Sequence, residues 1–183
     1  MVLNSVRLKL TVWYVALLAI ILILFSILLY YFLSKRLYES VDNSLNVSAN
    51  IVAKTTVMRF PASSLPGLEQ YLEQFLGYGN FNKFYRIYDG SGNVGSRSKN
   101  IDASQFPLTQ ESYAKALEGV PSYETFTLSE GQMIRVITRP ILRNRKLANL
   151  IQVGTSLQAV NDTMDNLRIF LYTGIPGVLV LAT

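Results

Sequence analysis

Twenty-five consecutive residues without a charge, Leu10 to Ser34 (LTVWYVALLAIILILFSILLYYFLS), separate Lys9 from Lys35. At about 1.5 Å per helical residue, such a run spans the roughly 30 Å hydrocarbon core of a bilayer with length left for tilt. Trp13 and Tyr14 near one end, and Tyr30 and Tyr31 near the other, place amphipathic rings at headgroup level. The run is therefore read as a transmembrane helix over 10–34. A core helix of a soluble protein is rarely so long and uncharged. A signal peptide has an apolar stretch of about 7 to 15 residues that ends at small side chains, whereas this one ends in YYFLSKR.

The other end of the chain is also apolar. In RIFLYTGIPGVLVLAT, Arg168 to Thr183, no charge follows the arginine. Fifteen helical residues reach only about 22 Å, too short to cross a bilayer. Residues 169–183 are accordingly read as the start of a second membrane helix, cut short. The expected layout is a cytoplasmic tail over 1–9, the first membrane helix over 10–34, a central domain over 35–168 outside the cytoplasm, and this second helix. The protein would then be a multi-pass protein of the inner (cytoplasmic) membrane with the bilayer as a partner. Arg7 and Lys9 before the first helix nearly balance Lys35 and Arg36 after it. Orientation thus rests on the ease of keeping a short amino-terminal tail inside.

The central 134 residues have the size of one domain with its own core. They hold 15 Lys and Arg against 12 Asp and Glu, a balance of +3. So mild a charge, with no dense basic arm, excludes nucleic acid as an expected partner. The chain has no cysteine and no histidine. Disulfides, thiolate chemistry, Ser-His-Asp catalysis, imidazole metal sites and a phosphoaccepting histidine are excluded by that inventory. The carboxylates are dispersed, without the spacing of a calcium loop. Gly90-Ser91-Gly92 lacks the residues of a phosphate loop and reads as a turn. No cofactor, metal or catalytic residue is expected.

From Leu37 to Val57 there is no Pro or Gly, and Tyr38, Val41, Leu45, Ser48 and Val52 recur at intervals of 3, 4, 3 and 4. That seam predicts a helix continuing straight out of the membrane, for packing on its own domain or on a second copy. After a break at RFPASSLPG, Arg59 to Gly67, LEQYLEQFLGYG predicts a second helix stopped by Gly77 and Gly79. The period then becomes strand-like. NKFYRIYD, the turn GSGN and VGSRS predict a β-hairpin, and Pro107 and Thr109 open a short helix, ESYAKALEG. SYETFTLS, QMIRVITRP and LANLIQVGTS, joined by SEGQ and RNRK, predict an antiparallel meander. Leu157, Val160, Met164, Leu167 and Leu171 repeat the 3, 4, 3, 4 spacing and lead through Arg168 into the final apolar run.

This order, with FYRIYDGSGNV entering the sheet and IQVGTSLQAVNDTMDNL leaving it, resembles the input half of bacterial membrane-bound sensor histidine kinases with a PAS-like (Cache or PDC) extracytoplasmic domain. The resemblance covers the whole arrangement, but its motifs are structural. It implies an α+β fold, a PAS-like antiparallel sheet flanked by long amino- and carboxy-terminal helices continuous with two transmembrane helices. It also implies a function, extracytoplasmic sensing and transmembrane signal transduction in a two-component system. The kinase domains and the response regulator that they would address lie outside this chain. A homodimer is expected, with Tyr38, Val41, Leu45, Leu157, Val160, Met164 and Leu167 as its seam. The same input unit also suits a chemoreceptor or a cyclic-dinucleotide enzyme, and a non-signalling, doubly anchored protein is the remaining alternative.

Arginines within strands are the candidate ligand-binding residues. Arg86 alternates with Phe84 and Tyr88, and Arg135 and Arg139 share a face with Met133 and Ile137. If those faces line a pocket, Arg86, Tyr88, Arg135 and Arg139 clamp a small anionic ligand such as a carboxylate. The alternative places the arginines on a solvated or helix-covered side, paired with residues such as Asp89 or Glu124.

Overall fold

The computed structural model describes residues 6–59, 83–98, 106–128, 131–144 and 146–181. The helix expected from Leu68 to Gly79 lies outside these residues. Two compact units are present, one formed by Glu39–Gln158 and the other by Met1–Tyr38 with Ala159–Thr183. Helix α1 is continuous over Val6–Arg59. Its sequence contains neither Gly nor Pro, and Pro61, a residue type that disfavours continued helix, follows closely. Among the described residues, one stretch is long and apolar enough to cross a membrane, and it lies in α1. None of its most apolar window is buried. Trp13, Phe25, Ile27 and Phe32 are each at least 59% exposed, an arrangement costly in water and favourable in hydrocarbon.

The second unit is built on five antiparallel strands, β1 (Lys83–Asp89), β2 (Val94–Arg97), β3 (Ser122–Thr127), β4 (Met133–Arg143) and β5 (Lys146–Ser156). Their order across the sheet is β2-β1-β5-β4-β3. The fold is α+β with an antiparallel sheet, as expected. Helix α2 (Gln110–Leu117) starts where the Thr109 hydroxyl accepts the Ser112 N–H at 3.1 Å and ends before Gly119, whose φ is +81°. The tight turn of the β1–β2 hairpin comes from DGSGN. The Asp89 carboxylate accepts the N–H groups of Ser91 and Asn93 at 2.9 and 2.8 Å. Gly90 lies so close to β5 that a Cβ there would stand 2.6 Å from the Leu147 carbonyl oxygen.

RNRK was expected to be a four-residue loop. Instead Arg143 pairs with Lys146, so the connection is two residues long, and Asn144 takes the left-handed φ of 53° that such a turn requires. β4 also runs through Pro140. β3 begins at Ser122, opposite Thr138, so at Pro140 the strand pairs with β5 alone, through Leu150, and its other side is an edge, which is where a strand tolerates proline.

Alternation along the strands gives the sheet two apolar faces. Tyr85, Ile87, Ile137, Ile151 and Val153 pack with Leu45, Ala49 and Val52 of α1, and Val41 adds to the margin. On the opposite face, Phe84, Ile134 and Val136 pack with Phe106, and Tyr88 and Leu150 pack with Ala116 of α2. Each large side chain so buried contributes about 1.5–3 kcal/mol. Gly154 is opposite Phe84 and leaves room for its ring, where a Cβ would collide.

The residues of the expected dimer seam differ in exposure within the single chain. Leu45 is 1% exposed because the sheet of its own chain covers it. Leu157 is fully buried and precedes helix α3 (Gln158–Leu181), its N–H donating to the Met133 carbonyl at 2.8 Å. Val160 and Met164 are also buried within the single chain, while Tyr38, Val41 and Leu167 are half-buried. α3 carries the expected helix through the final apolar run, with Pro176 inside it.

Candidate functional site

The register brings a row of polar side chains through the middle of the face that packs on α2. Arg86 is opposite Gln152, Gln152 opposite Thr138, and Thr138 opposite Ser122, so the four point to one side across four strands. All are buried, Arg86 at 3% exposure and Gln152 at none. Their hydrogen bonds run in one direction. Arg86 Nη1 donates to the Tyr88 hydroxyl at 2.7 Å and to the Phe106 carbonyl at 3.3 Å. The Tyr88 hydroxyl donates to Gln152 Oε1 at 2.9 Å, and Gln152 Nε2 donates to Thr138 Oγ1 at 3.2 Å. The guanidinium also lies 4.3 Å from the centre of the Phe106 ring, a cation–π contact that eases its burial.

Burial pushes the Tyr88 phenol above its ordinary pKa, against the opposing effect of the bond and charge from Arg86, so it stays a neutral donor. At the end of the row, Ser122 and Ser112 share a hydrogen bond of 2.6 Å. Glu124 accepts from Ser112 and Thr109, both at 2.7 Å, which fixes the start of α2. No cluster of three or more acidic side chains suited to a metal occurs among the described residues.

Arg135 and Arg139 are one residue out of phase with this row and project from the opposite face. The expected common clamp of Arg86, Tyr88, Arg135 and Arg139 is thus divided, two residues to each side. Arg135 holds the Asp42 carboxylate bidentately, Nε to Oδ1 at 2.8 Å and Nη2 to Oδ2 at 2.9 Å. Arg139 Nη1 donates to Asn46 Oδ1 at 2.7 Å. Asp42 and Asn46 are one helical turn apart, so both arginines grip the same stripe of α1. Lys83 adds a contact of 3.4 Å to Ser48. The helix-covered alternative describes Arg135 and Arg139, but their partners are Asp42 and Asn46 rather than Asp89 or Glu124. Burial raises the pKa of nearby Tyr123, with the Asp42 charge acting in the same sense.

Gln152, Thr138, Phe106, Asp42 and Asn46 were absent from the residues expected to matter. Gln152 did carry a signal, as the one polar side chain in LIQVG. Asp42 and Asn46 carried none, because their partners lie 93 residues away.

No protein-family model matches this chain, and no curated protein sequence does either. Among solved structures, the sensor domain of the Vibrio cholerae histidine kinase DctB is similar with a TM-score of 0.47 and 17% identity, over 71% of this chain and 55% of that one. The ligand-binding domain of the Pseudomonas aeruginosa amino acid chemoreceptor PctC, solved with GABA, gives 0.46 and 14%, over 69% of this chain and 62% of that one. The PAS domain of an HTR-like protein from Haloarcula marismortui gives 0.31 and 11%, over 50% and 98%. The chain therefore spans less than two thirds of the first two domains.

Proposed function

We propose that this chain is the input module of a membrane-bound signalling protein, a domain outside the cytoplasm that detects a small anionic ligand and passes the event to its membrane helices. The proposed assembly is a homodimer and the proposed output a sensor histidine kinase. One observation carries this reading: α1 is a single helix whose first part is the apolar span and whose later part belongs to the core of the sheet domain. A plain anchor has no need of an unbroken helix held by Arg135, Arg139 and Lys83.

Signalling needs two states a few kcal/mol apart and a ligand that prefers one of them. Arg86 and Tyr88, with Gln152 beside them, are the proposed anion site. A carboxylate that replaces the Phe106 carbonyl on Arg86 gains a charge-assisted, fork-shaped pairing. Gln152 belongs to β5, whose Ile151 and Val153 touch the α1 side. A shift of β5 would thus reach the helix through packing. Arg135 and Arg139 serve as ties between sheet and helix.

The test uses the intact chain in lipid nanodiscs, melted with small organic acids and amino acids at millimolar concentration. A bound acid should raise the melting temperature, and Arg86→Gln should abolish the rise. No shift with any acid would remove the anion reading. Joined to a histidine-kinase output half, the chain should confer ligand-dependent phosphorylation that a glycine insertion after Lys35 abolishes. Phosphorylation indifferent to the insertion would favour the plain anchor.

A further inference from the structure

Within the unit formed by Met1–Tyr38 and Ala159–Thr183, α1 and α3 enclose an open groove of about 830 Å³. Its two ends differ in chemistry. Ile23, Ile27, Leu171 and Ile175 line the apolar end, and Ser26 adds little polarity because its hydroxyl donates to the Leu22 carbonyl at 2.7 Å. Lys35, Arg168 and Tyr30 line the other end. Arg168 Nη2 donates to the Tyr30 hydroxyl at 3.3 Å and so crosses from one helix to the other.

No carboxylate lines the groove. Asp165, outside the lining, meets Arg168 Nη1 at 3.3 Å, but both side chains are more than half exposed. A pair of that kind is weak and leaves the remaining guanidinium donors available. Lys35 is exposed and has no ion pair among the described residues.

Length adds a second argument. From Ile23 to Lys35 the helix rises about 18 Å, slightly more than the roughly 15 Å of one leaflet's hydrocarbon. With α1 across a bilayer, the two cations and the tyrosine rings would stand at headgroup level, above an apolar trough of acyl-chain depth.

We infer that this groove holds an anionic phospholipid of the bilayer, its phosphate against Lys35 and Arg168 and one acyl chain along Ile27 and Leu171. The inference rests on α1 spanning the membrane. A zwitterionic lipid fills the trough equally well but brings its own positive charge to the cationic end. Selectivity therefore comes from charge, and occupancy from the trough.

The intact chain is reconstituted in nanodiscs of equimolar phosphatidylglycerol and phosphatidylcholine, and the lipid retained on release is identified by native mass spectrometry. At about fivefold per surface cation, phosphatidylglycerol should be retained roughly tenfold or more over phosphatidylcholine. Lys35→Gln with Arg168→Gln should bring the ratio close to one. Ile27→Trp, which keeps both charges and fills the trough, should lower retention of both lipids.

Equal retention by the unaltered chain, or an enrichment that survives loss of both cations, overturns the site. Dimers released without enriched lipid overturn it too, with a second copy as the occupant. A chain that fails to enter nanodiscs overturns the spanning reading together with the site, whereas insertion without enrichment overturns the site alone.

Discussion

Toward α1, the sheet presents Tyr85, Ile87, Ile151 and Val153 to Leu45, Ala49 and Val52, and its charged contacts lie in a part-exposed margin where Arg135 and Asp42 keep 21% and 28% side-chain exposure. Toward α2, the polar residues run through the middle of the face, with Arg86, Gln152 and Thr138 buried. The difference sets what each side can do. At the margin, water stands ready to replace a broken tie, so those contacts can loosen and re-form at modest cost. In the middle the side chains are closed off from bulk solvent, and each member of the row depends on the next for its hydrogen bond. The first face suits adjustable coupling to the helix. The second is the face of the proposed recognition, where a polar ligand would exchange one set of buried bonds for another.

The largest expected effects separate the faces through neighbouring residues of β5. Ile151→Ala should cost about 2–5 kcal/mol, while Ile151→Val should cost only about 0.5–1.5 kcal/mol. Gln152→Ala should cost a comparable amount, about 2–6 kcal/mol, from roughly 1–3 kcal/mol for each of the Tyr88 and Thr138 groups left without a partner. Gln152→Leu should recover little of it, since restored volume returns no hydrogen bond. Chemical denaturation of the four variants checks this. If Gln152→Leu proves as mild as Ile151→Val, the polar row is ordinary packing and the contrast between the faces fails.

A smaller effect belongs to the margin. In a double-mutant cycle with Asp42→Ala and Arg135→Ala, the coupling should be about 1–2 kcal/mol, a bidentate pair discounted for its exposure. Raising the salt concentration should shrink it. Coupling near zero would show that Arg135 contributes through its other contacts, the hydrogen bond to Thr125 Oγ1 at 3.0 Å and the Tyr123 ring 5.7 Å from its guanidinium, rather than through Asp42.

The smallest effect lies at the hairpin turn, away from both faces. Bonds from Asn93, backbone first and then side chain, hold the Asp89 carboxyl below its ordinary value of 3.8, and the Ser91 N–H helps. A lowered folded-state pKa means that this contribution is fully present above the unfolded value and is lost as pH falls through the folded one. Asp89→Asn should therefore melt slightly lower than the unaltered chain at neutral pH, and the gap should close in acid. An unchanging gap down to about pH 2 would assign the variant's effect to geometry rather than charge.

Much of this architecture could be read along the chain because its causes are local. An uncharged run longer than a bilayer is thick, a stretch from Val6 to Arg59 free of Gly and Pro, the DGSGN turn and the alternation in FYRIYD each act within a few residues of themselves. The helices and strands follow from such signals. What they cannot carry is how one strand aligns with the next. Alternation shows that Arg135 and Arg139 share a face and that Arg86 and Tyr88 share one, but it is silent on whether these are the same face. Pairing of Arg86 with Gln152, and of Gln152 with Thr138, places Arg135 and Arg139 on the far side. Leu45 shows the same limit, since an apolar stripe fits a second copy as well as its own sheet until the sheet has formed beneath it. Asp42 and Asn46 look like solvated helix residues until strands 93 positions later bring their arginines to them. Register and burial are set by contacts between distant segments, and only in the folded chain do those segments meet.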